Sequence, residues 1–220
     1  MRSAYIVLAA FAVSVATTAA NAGEANLAPQ PVMQNLFLAE SGPVDPPPAF
    51  KRFCIESPDE CIPRQQGKDF AESAKRLEQL DEVNRRINRA IAPETDIEHY
   101  GIEDYWTLPK DGKGDCEDYA LLKRHILIAL GWPTRALLMT VVRIENGEGH
   151  AVLTARTKFG DVILDNRSDE LKPWYRTPYS YKMIQSSYDP KIWLDLDPDD
   201  DRLPASIAVP QLLYDLTHPH

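Results

Sequence analysis

Positive charge is scarce in this chain, which has 24 basic and 33 acidic residues and a formal net charge of −9. Nucleic-acid binding depends on Lys and Arg contacts with phosphate, so this balance argues against a nucleic-acid partner. Hydrophobic residues make up 44% of the chain and charged residues 26%, proportions that exclude a disordered acidic protein and a membrane bundle. The length of 220 residues suits one domain with flanking extensions.

Long apolar runs are also missing, since a membrane-spanning helix needs about 20 apolar residues and no stretch of the chain reaches that length. The main apolar run covers residues 4–16, follows Arg2 and precedes small residues at positions 20–22. This order is typical of a secretory signal peptide over residues 1–22, with a membrane anchor as the disfavoured alternative. It predicts export of the mature protein to an oxidising compartment, the periplasm.

Proline content divides the exported chain into an arm and a domain. Residues 23–50 are rich in proline, with a run of three at positions 46–48, which predicts an arm without long regular structure. Within this arm, residues 36–38 are apolar and are expected to dock on the core. The domain then covers residues 51–195, and an acidic, frayed tail covers residues 196–220.

Two amphipathic helices are predicted from apolar residues that recur at steps of three and four. The first covers residues 69–92, ends before Pro93 and is interpreted as scaffold. Its buried stripe comprises Phe70, Leu77, Leu80, Val83 or Asn84, Ile87 and Ile91. The second covers residues 115–130, with Gly131 as its C-cap. Its buried stripe comprises Tyr119, Leu122, Ile126 and Leu130.

β-Branched residues and turn signals predict an antiparallel sheet in the second half of the chain. The predicted strands are residues 135–144, 150–157, 162–164, 181–184 and 192–194. Helices followed by strands are typical of an α+β fold.

Three cysteines leave one thiol over if two of them pair. Cys54 and Cys61 flank a turn signal at residues 57–59, and a disulfide between them is expected in an oxidising compartment. A zinc site is disfavoured there, because no second pair of Cys or His residues follows at ligand spacing. Cys116 is therefore the free cysteine.

Cys116 lies in the sequence Gly-Lys-Gly-Asp-Cys-Glu-Asp, which covers residues 112–118 and opens the second helix. A thiol in the first turn of a helix faces unpaired backbone N–H groups and the positive end of the helix dipole, which lowers its pKa. A buried structural cysteine is the alternative, but polar and glycine neighbours argue against a core position. The pattern predicts a reactive nucleophile.

A cysteine nucleophile needs a base and a group that orients the base. His150 begins one predicted strand and Asp165 ends the next, and a turn signal at residues 158–160 lies near their midpoint. An antiparallel hairpin then brings the two residues nearly opposite each other, within reach of a hydrogen bond. Such a bond fixes the imidazole tautomer and stabilises imidazolium, so the sequence predicts catalysis by Cys116, His150 and Asp165.

Four stretches carry a resemblance to a known family. They are Asp-Tyr-Trp at residues 104–106, Gly-Asp-Cys-Glu-Asp-Tyr-Ala at 114–120, Gly-His-Ala-Val-Leu at 149–153 and Leu-Asp-Asn at 164–166. From about residue 53 to residue 193 the chain resembles the bacterial transglutaminase-like cysteine peptidases of the papain and transglutaminase superfamily, which include the periplasmic adhesin-releasing protease. The resemblance implies a papain-like core in which the nucleophile-bearing helix packs on an antiparallel sheet. It also implies that Cys116, His150 and Asp165 match the family's triad.

The activity implied by the resemblance is hydrolysis of a peptide bond in a protein substrate such as a surface adhesin, with a membrane receptor that sequesters the protease. We expect the protein to act as a monomer. Two alternatives stay open: transglutaminase-type acyl transfer, and a non-catalytic peptide-binding or calcium-binding module of the same fold. The oxyanion is assigned to the Cys116 backbone N–H and a second donor, for which Trp106 and an amide of the glycine loop are candidates.

Asp115, Glu117 and Asp118 place negative charge beside Cys116, which opposes formation of the thiolate. In one interpretation, Asp115 as N-cap and Asp118 at the third helical position satisfy free N–H groups of the helix. In the other, the three carboxylates hold a calcium ion, since clustered oxygen ligands suit Ca²⁺. The resemblance implies calcium for Asp115 and Glu117, and both interpretations stay open for Asp118.

Overall fold

The computed structural model describes residues 36–64 and 74–196, and it combines helices with an antiparallel sheet, as the predicted α+β class requires. Four predictions fall wholly or partly outside these residues: the signal peptide, the first part of the proline-rich arm, the start of the first helix with Phe70, and the C-terminal tail. Within the described residues, no helix is long and apolar enough to cross a membrane.

Most of the described strands belong to one antiparallel sheet. In chain order the strands are β1 (Glu40–Val44), β2 (Ala92–Pro93), β3 (Lys113–Gly114), β4 (Leu137–Arg143), β5 (Gly149–Thr157), β6 (Gly160–Asp165), β7 (Ser168–Pro173), β8 (Ser180–Gln185) and β9 (Trp193–Leu196). The main sheet has the order β1-β9-β8-β4-β5-β6-β7, whereas β2 and β3 pair separately and in parallel. All five predicted strands are confirmed, with ends shifted by up to two residues.

Helices cover one face of the sheet. The described helices are α1 (Pro48–Glu56), α2 (Ala74–Ala90), α3 (Asp96–His99) and α4 (Cys116–Ala129). Helix α4 packs on β5 and on α2, and α2 also packs on β7. Adjacent residues of β5 point to opposite faces, so Leu153 joins the core under the helices while Val152 joins a second apolar core with Leu38 and Trp174. The predicted packing of the nucleophile-bearing helix on the sheet is confirmed.

Two regular elements, β1 and the start of α1, lie within residues 23–50, where the proline content predicted an arm without long regular structure. Both elements tolerate proline. Strand β1 lies at the edge of the sheet and pairs only with β9, so the missing N–H of Pro43 costs little. Pro48 is the first residue of α1, a position where the backbone N–H has no hydrogen-bond partner within the helix. Leu36 and Leu38 are buried, which confirms that this segment docks on the core.

The buried stripe predicted for α4 is confirmed at Tyr119 but not at its other three positions. Leu130 is 47% exposed, and Leu122 and Ile126 are only half-buried. Because the sheet and α2 both cover the helix, its buried surface is wider than a single stripe and includes the charged residues Lys123 and Arg124. In contrast, the stripe predicted for α2 is buried throughout its described part.

Helix α4 ends at Ala129, and Gly131, the predicted stop residue, follows the cap residue Leu130. Gly131 has a φ of +90° and donates its N–H to the Ile128 carbonyl at 2.9 Å, while the Trp132 N–H reaches the Leu127 carbonyl at 3.0 Å. These two bonds form a Schellman motif, which satisfies carbonyl groups that the end of a helix leaves free.

The predicted disulfide is present between Cys54 and Cys61, whose Cα atoms are 5.6 Å apart. It joins the end of α1 to a 3₁₀ turn over Pro58–Cys61. Cys116 is the free cysteine, as the odd cysteine count required.

Gly160 allows a test of how the segment before β1 docks on the sheet. Its φ is +115°, and an added Cβ would lie 2.6 Å from the Leu36 carbonyl oxygen. Trp174 Nε1 holds that oxygen at 3.1 Å, so it cannot move away freely. We expect Gly160→Ala to lower the free energy of unfolding by about 3 kcal/mol, measured by urea denaturation, because the contact adds to the ~1–2 kcal/mol cost of the backbone conformation.

The matched control is Gly147→Ala, since Gly147 has a φ of +88° but no atom within 4 Å of an added Cβ. This variant should lose only the ~1–2 kcal/mol of backbone strain. Equal losses in the two variants would mean that the contact with Leu36 contributes nothing to stability.

Candidate active site

A cleft of about 660 Å³ brings the predicted nucleophile and base to one place. Cys116 at the start of α4 and His150 at the start of β5 both line it. Pro48 of α1, Val141 of β4 and Met183 of β8 form part of its other walls. The start of the nucleophile helix therefore faces the sheet across a space large enough for a segment of peptide.

Cys116 is the first residue of α4 and is partly exposed to the cleft. Its Sγ accepts a hydrogen bond from the Ala151 N–H at 3.4 Å and donates one to Glu117 Oε2 at 3.2 Å. Burial raises the pKa of Cys116 well above its ordinary value, and the carboxylates of Glu117 and Asp115 raise it further. When only these protein groups act on Cys116, the effects that raise its pKa therefore outweigh the lowering predicted from its position at the helix start.

His150 and Asp165 form the predicted hydrogen bond. His150 Nε2 lies 2.9 Å from Asp165 Oδ1, and both side chains are buried. The hairpin turn is centred between Lys158 and Phe159, because Thr157 pairs with Gly160. This centre lies one residue after the midpoint of His150 and Asp165, on which the prediction relied. His150 and Asp165 are therefore diagonal neighbours rather than directly opposite, a separation that their side chains still bridge.

Asp165 is held from several sides. Its Oδ1 also accepts a hydrogen bond from the Arg167 backbone N–H at 3.0 Å, and its Oδ2 accepts one from the Tyr179 hydroxyl. Burial raises the pKa of Asp165, but the hydrogen bonds from His150 and Tyr179 outweigh it and hold that pKa below its ordinary value. The carboxylate thus stays ionised and fixed in front of the imidazole, as an orienting group must.

Tyr179 contacts both His150 and Asp165, and the sequence did not predict these contacts. The ring packs edge-on against His150, with 5.7 Å between ring centres. No local pattern signals this role, because Tyr179 comes from the segment before β8 and meets Asp165 only in the folded chain.

The three acidic residues beside Cys116 belong to a larger carboxylate cluster. Asp96 and Asp104 join it from α3 and the loop that follows, and neither was predicted. Asp115 is the N-cap residue of α4, but its side chain makes no capping bond and instead accepts the Asp96 backbone N–H at 3.3 Å. The capping interpretation is therefore wrong for Asp115. Asp118 accepts the Thr107 backbone N–H at 2.9 Å, which ties the helix to the loop.

The cluster has the features of a cation site. Oxygen atoms of Asp96, Asp115 and Asp118 lie within 4.8 Å of one another, a spacing that one ion with ligands at about 2.4 Å can satisfy. Each of these residues also has one buried oxygen without a hydrogen-bond partner among the described residues. Burial raises the pKa of Glu117 to about 10 and that of Asp118 to about 8. These raised pKa values indicate that the carboxylates lack compensating positive charge. Hard oxygen ligands of this kind fit Ca²⁺.

Gly114 makes room for this cluster. A Cβ at this position would lie 2.4 Å from Asp118 Oδ2, one of the oxygens without a hydrogen-bond partner among the described residues. The glycine two residues before the nucleophile is therefore required by the carboxylate packed against its backbone.

Trp106 does not supply an oxyanion donor through its indole. It is buried, and its Nε1–H donates to Asp104 Oδ1 at 2.9 Å. The indole instead orients a carboxylate of the cluster and packs on Phe50 of α1, with 5.6 Å between ring centres.

Comparison with known proteins gives the family. No match was found among curated protein sequences. Three solved structures of Legionella pneumophila LapG are similar to the chain: a calcium-bound form (27% identity, covering 63% of this chain and 78% of that chain, TM-score 0.47), a form with no ligand named (30%, 56% and 70%, 0.46) and an EGTA-treated form (28%, 61% and 73%, 0.46). The sequence model described as "bacterial transglutaminase-like cysteine proteinase" matches residues 40–201, well over half of the chain. The chain therefore belongs to the bacterial transglutaminase-like cysteine proteinase family.

Proposed function

We propose that the protein is an exported cysteine peptidase that hydrolyses a peptide bond in a periplasmic or surface protein with Cys116, His150 and Asp165. The observation that carries the proposal is the convergence of three groups at one cleft. A thiol at a helix start and an imidazole line the same space, and a buried carboxylate holds the imidazole at 2.9 Å. Membership of a cysteine proteinase family supports the reaction class.

The proposed reaction begins when His150 takes the proton of the Cys116 thiol through Nδ1, since Nε2 is engaged by Asp165. The sulfur forms a bond to the scissile carbonyl carbon, and the negative charge that develops on the carbonyl oxygen is stabilised by the Cys116 backbone N–H. His150 then gives its proton to the leaving amine as the C–N bond breaks. Water, deprotonated by the same imidazole, hydrolyses the thioester and releases the free thiol.

We propose a calcium ion at the carboxylate cluster, held by Asp115, Glu117 and Asp118 together with Asp96 and Asp104. Calcium is named for one of the similar Legionella structures, but the proposal here stands on the oxygens that lack partners among the described residues. A divalent ion at this position supplies positive charge beside the nucleophile, which offsets the carboxylates and favours the thiolate.

The disulfide and the predicted signal peptide also support a proposal for the compartment and the partners of the protein. The Cys54–Cys61 disulfide supports an oxidising location such as the periplasm, in agreement with the signal peptide predicted for residues 1–22. We propose a monomer that acts on an exported substrate such as a surface adhesin, with a membrane receptor that restrains it.

The triad is tested by labelling newly formed N-termini in a surface-protein fraction treated with the purified protein. The wild type should generate defined cleavage products, and Cys116→Ala should generate none. Asp165→Asn should slow cleavage by on the order of 10²–10⁴-fold, because the imidazole loses its orientation and its stabilising charge. Asp59→Asn is the control, since it removes an exposed carboxylate from the 3₁₀ turn over Pro58–Cys61. This variant should cleave like the wild type.

Two outcomes of this assay would contradict the proposal. Equal cleavage by the wild type and Cys116→Ala would remove the cysteine from the reaction. Isopeptide-linked products without new N-termini would identify the chain as an acyl transferase that uses the same triad.

The calcium site is tested by thermal unfolding of chelator-treated protein. Calcium at about hundredfold excess over its dissociation constant stabilises a single-site protein by about 2.7 kcal/mol, which should raise the Tm by roughly 5–10 °C. Asp96→Asn should lose most of this rise because it removes a ligand charge, whereas Asp59→Asn should keep it. A wild type whose Tm and cleavage rate are the same in calcium and in chelator would exclude the ion.

A further inference from the structure

Two asparagines of α2 hold the turn that carries Asp165. Asn84 and Asn88 stand one helical turn apart on the same face of the helix. Both reach the connection between β6 and β7, where Asp165 ends one strand and Ser168 begins the next. The helix that the sequence presents as scaffold therefore contacts the backbone of a triad residue.

The side-chain amide of Asn84 is fully used in this contact. Its Oδ1 accepts the Asp165 backbone N–H at 3.1 Å, and its Nδ2 donates to the carbonyl oxygens of Ser168 and Asp169 at 2.9 and 3.2 Å. Asn84 is 0% exposed, so water does not substitute for these bonds. Only a side-chain amide offers an acceptor and two donors at this length.

Asn88 holds the same turn from its more exposed side. Its Nδ2 donates to the Asp165 carbonyl at 2.9 Å and to the Ser168 carbonyl at 3.1 Å. The two asparagines together therefore bind both the N–H and the C=O of Asp165.

The strands themselves hold Asp165 through a single pair, with Ser168 at the start of β7. The regular β5–β6 pairing ends at Leu153 and Leu164, one residue before Asp165. The β6–β7 pairing is irregular between Ile163 and Asp165. Asp165 thus forms the last pair of the sheet before a turn, where contacts from outside the sheet also hold its backbone.

We propose that Asn84 is a positioning residue for the triad, which fixes the backbone of Asp165 so that Oδ1 meets His150 Nε2. This inference rests on the proposed peptidase function. Asn84 does not line the cleft among the described residues, so it acts on the reacting groups only through Asp165. Its loss should lower kcat and leave KM nearly unchanged.

The test uses Asn84→Asp, which keeps the shape and the acceptor for the Asp165 N–H but turns an oxygen toward two carbonyl groups. Misplacing a catalytic group by about 1 Å costs on the order of 10²-fold in rate, so we expect kcat to fall by roughly 10- to 100-fold, with KM within about twofold of the wild type. The protein that the wild type cleaves in the labelling assay serves as substrate. Asn84→Ala, which leaves the carbonyls without a donor, should show the same direction and serves if the charged variant does not fold.

Val83→Ala is the matched control, because Val83 is a buried neighbour on the same helix that takes part only in the apolar core. It should lower the Tm and leave kcat unchanged at temperatures well below unfolding. A folded Asn84→Asp protein with the kcat of the wild type would overturn the proposal.

A second measurement does not require activity. The ¹⁵N resonances of the His150 ring report which nitrogen carries the proton, and in the wild type they should show the proton on Nε2, toward Asp165. In the Asn84 variants this signature should change toward mixed tautomers, while in Val83→Ala it should not. An unchanged signature would refute the positioning role even if the chain proved to have no peptidase activity, whereas a changed signature without cleavage by the wild type would refute only the peptidase.

Discussion

Negative charge buried at the start of α4 is the constraint on which the Cys116 side of the site depends. Two like charges about 4 Å apart repel by about 4 kcal/mol at an effective dielectric constant of 20. Backbone N–H groups from α3 and the following loop offset part of this charge, through Asp96, Asp115 and Asp118. Protons or a cation must neutralise the remaining negative charge. These two possibilities have different effects on the Cys116 thiol. Protonated carboxyl groups leave Cys116 as a neutral thiol, whereas a cation favours the thiolate.

The imidazole half of the site depends on hydrogen-bond geometry instead of on clustered charge. His150 stands on a regular strand, but Asp165 stands where that regularity ends, so the sheet alone does not fix the distance between them. Tyr179 holds the Asp165 carboxylate, and Asn84 and Asn88 hold its backbone. Hydrogen bonds from outside the β5–β6 hairpin therefore hold Asp165 where the pairing of its strand becomes irregular.

Local sequence was sufficient for features that depend on neighbouring residues. The start of α4 at Cys116, its end before Gly131 and the His150–Asp165 pair are all encoded within a few residues or one hairpin, although a two-residue turn moved the register by one position. Features that depend on distant segments escaped prediction, because Asp96 and Asn84 carry no local signal. Burial of Lys123 was missed for a related reason, since a periodic pattern assumes one covered side and α4 has two.

The two halves of the site meet through the contact between α4 and β5. The Ala151 N–H donates to Cys116 Sγ, so the residue that follows His150 on β5 also contacts Cys116. A slide of β5 along α4 would change the Ala151 contact and the position of His150 together. The apolar core shared by these two elements resists such a slide and helps to set the distance between Cys116 and His150. Helix α4 is buried on two sides by this packing and by its contact with α2, even though burying Lys123 and Arg124 opposes folding.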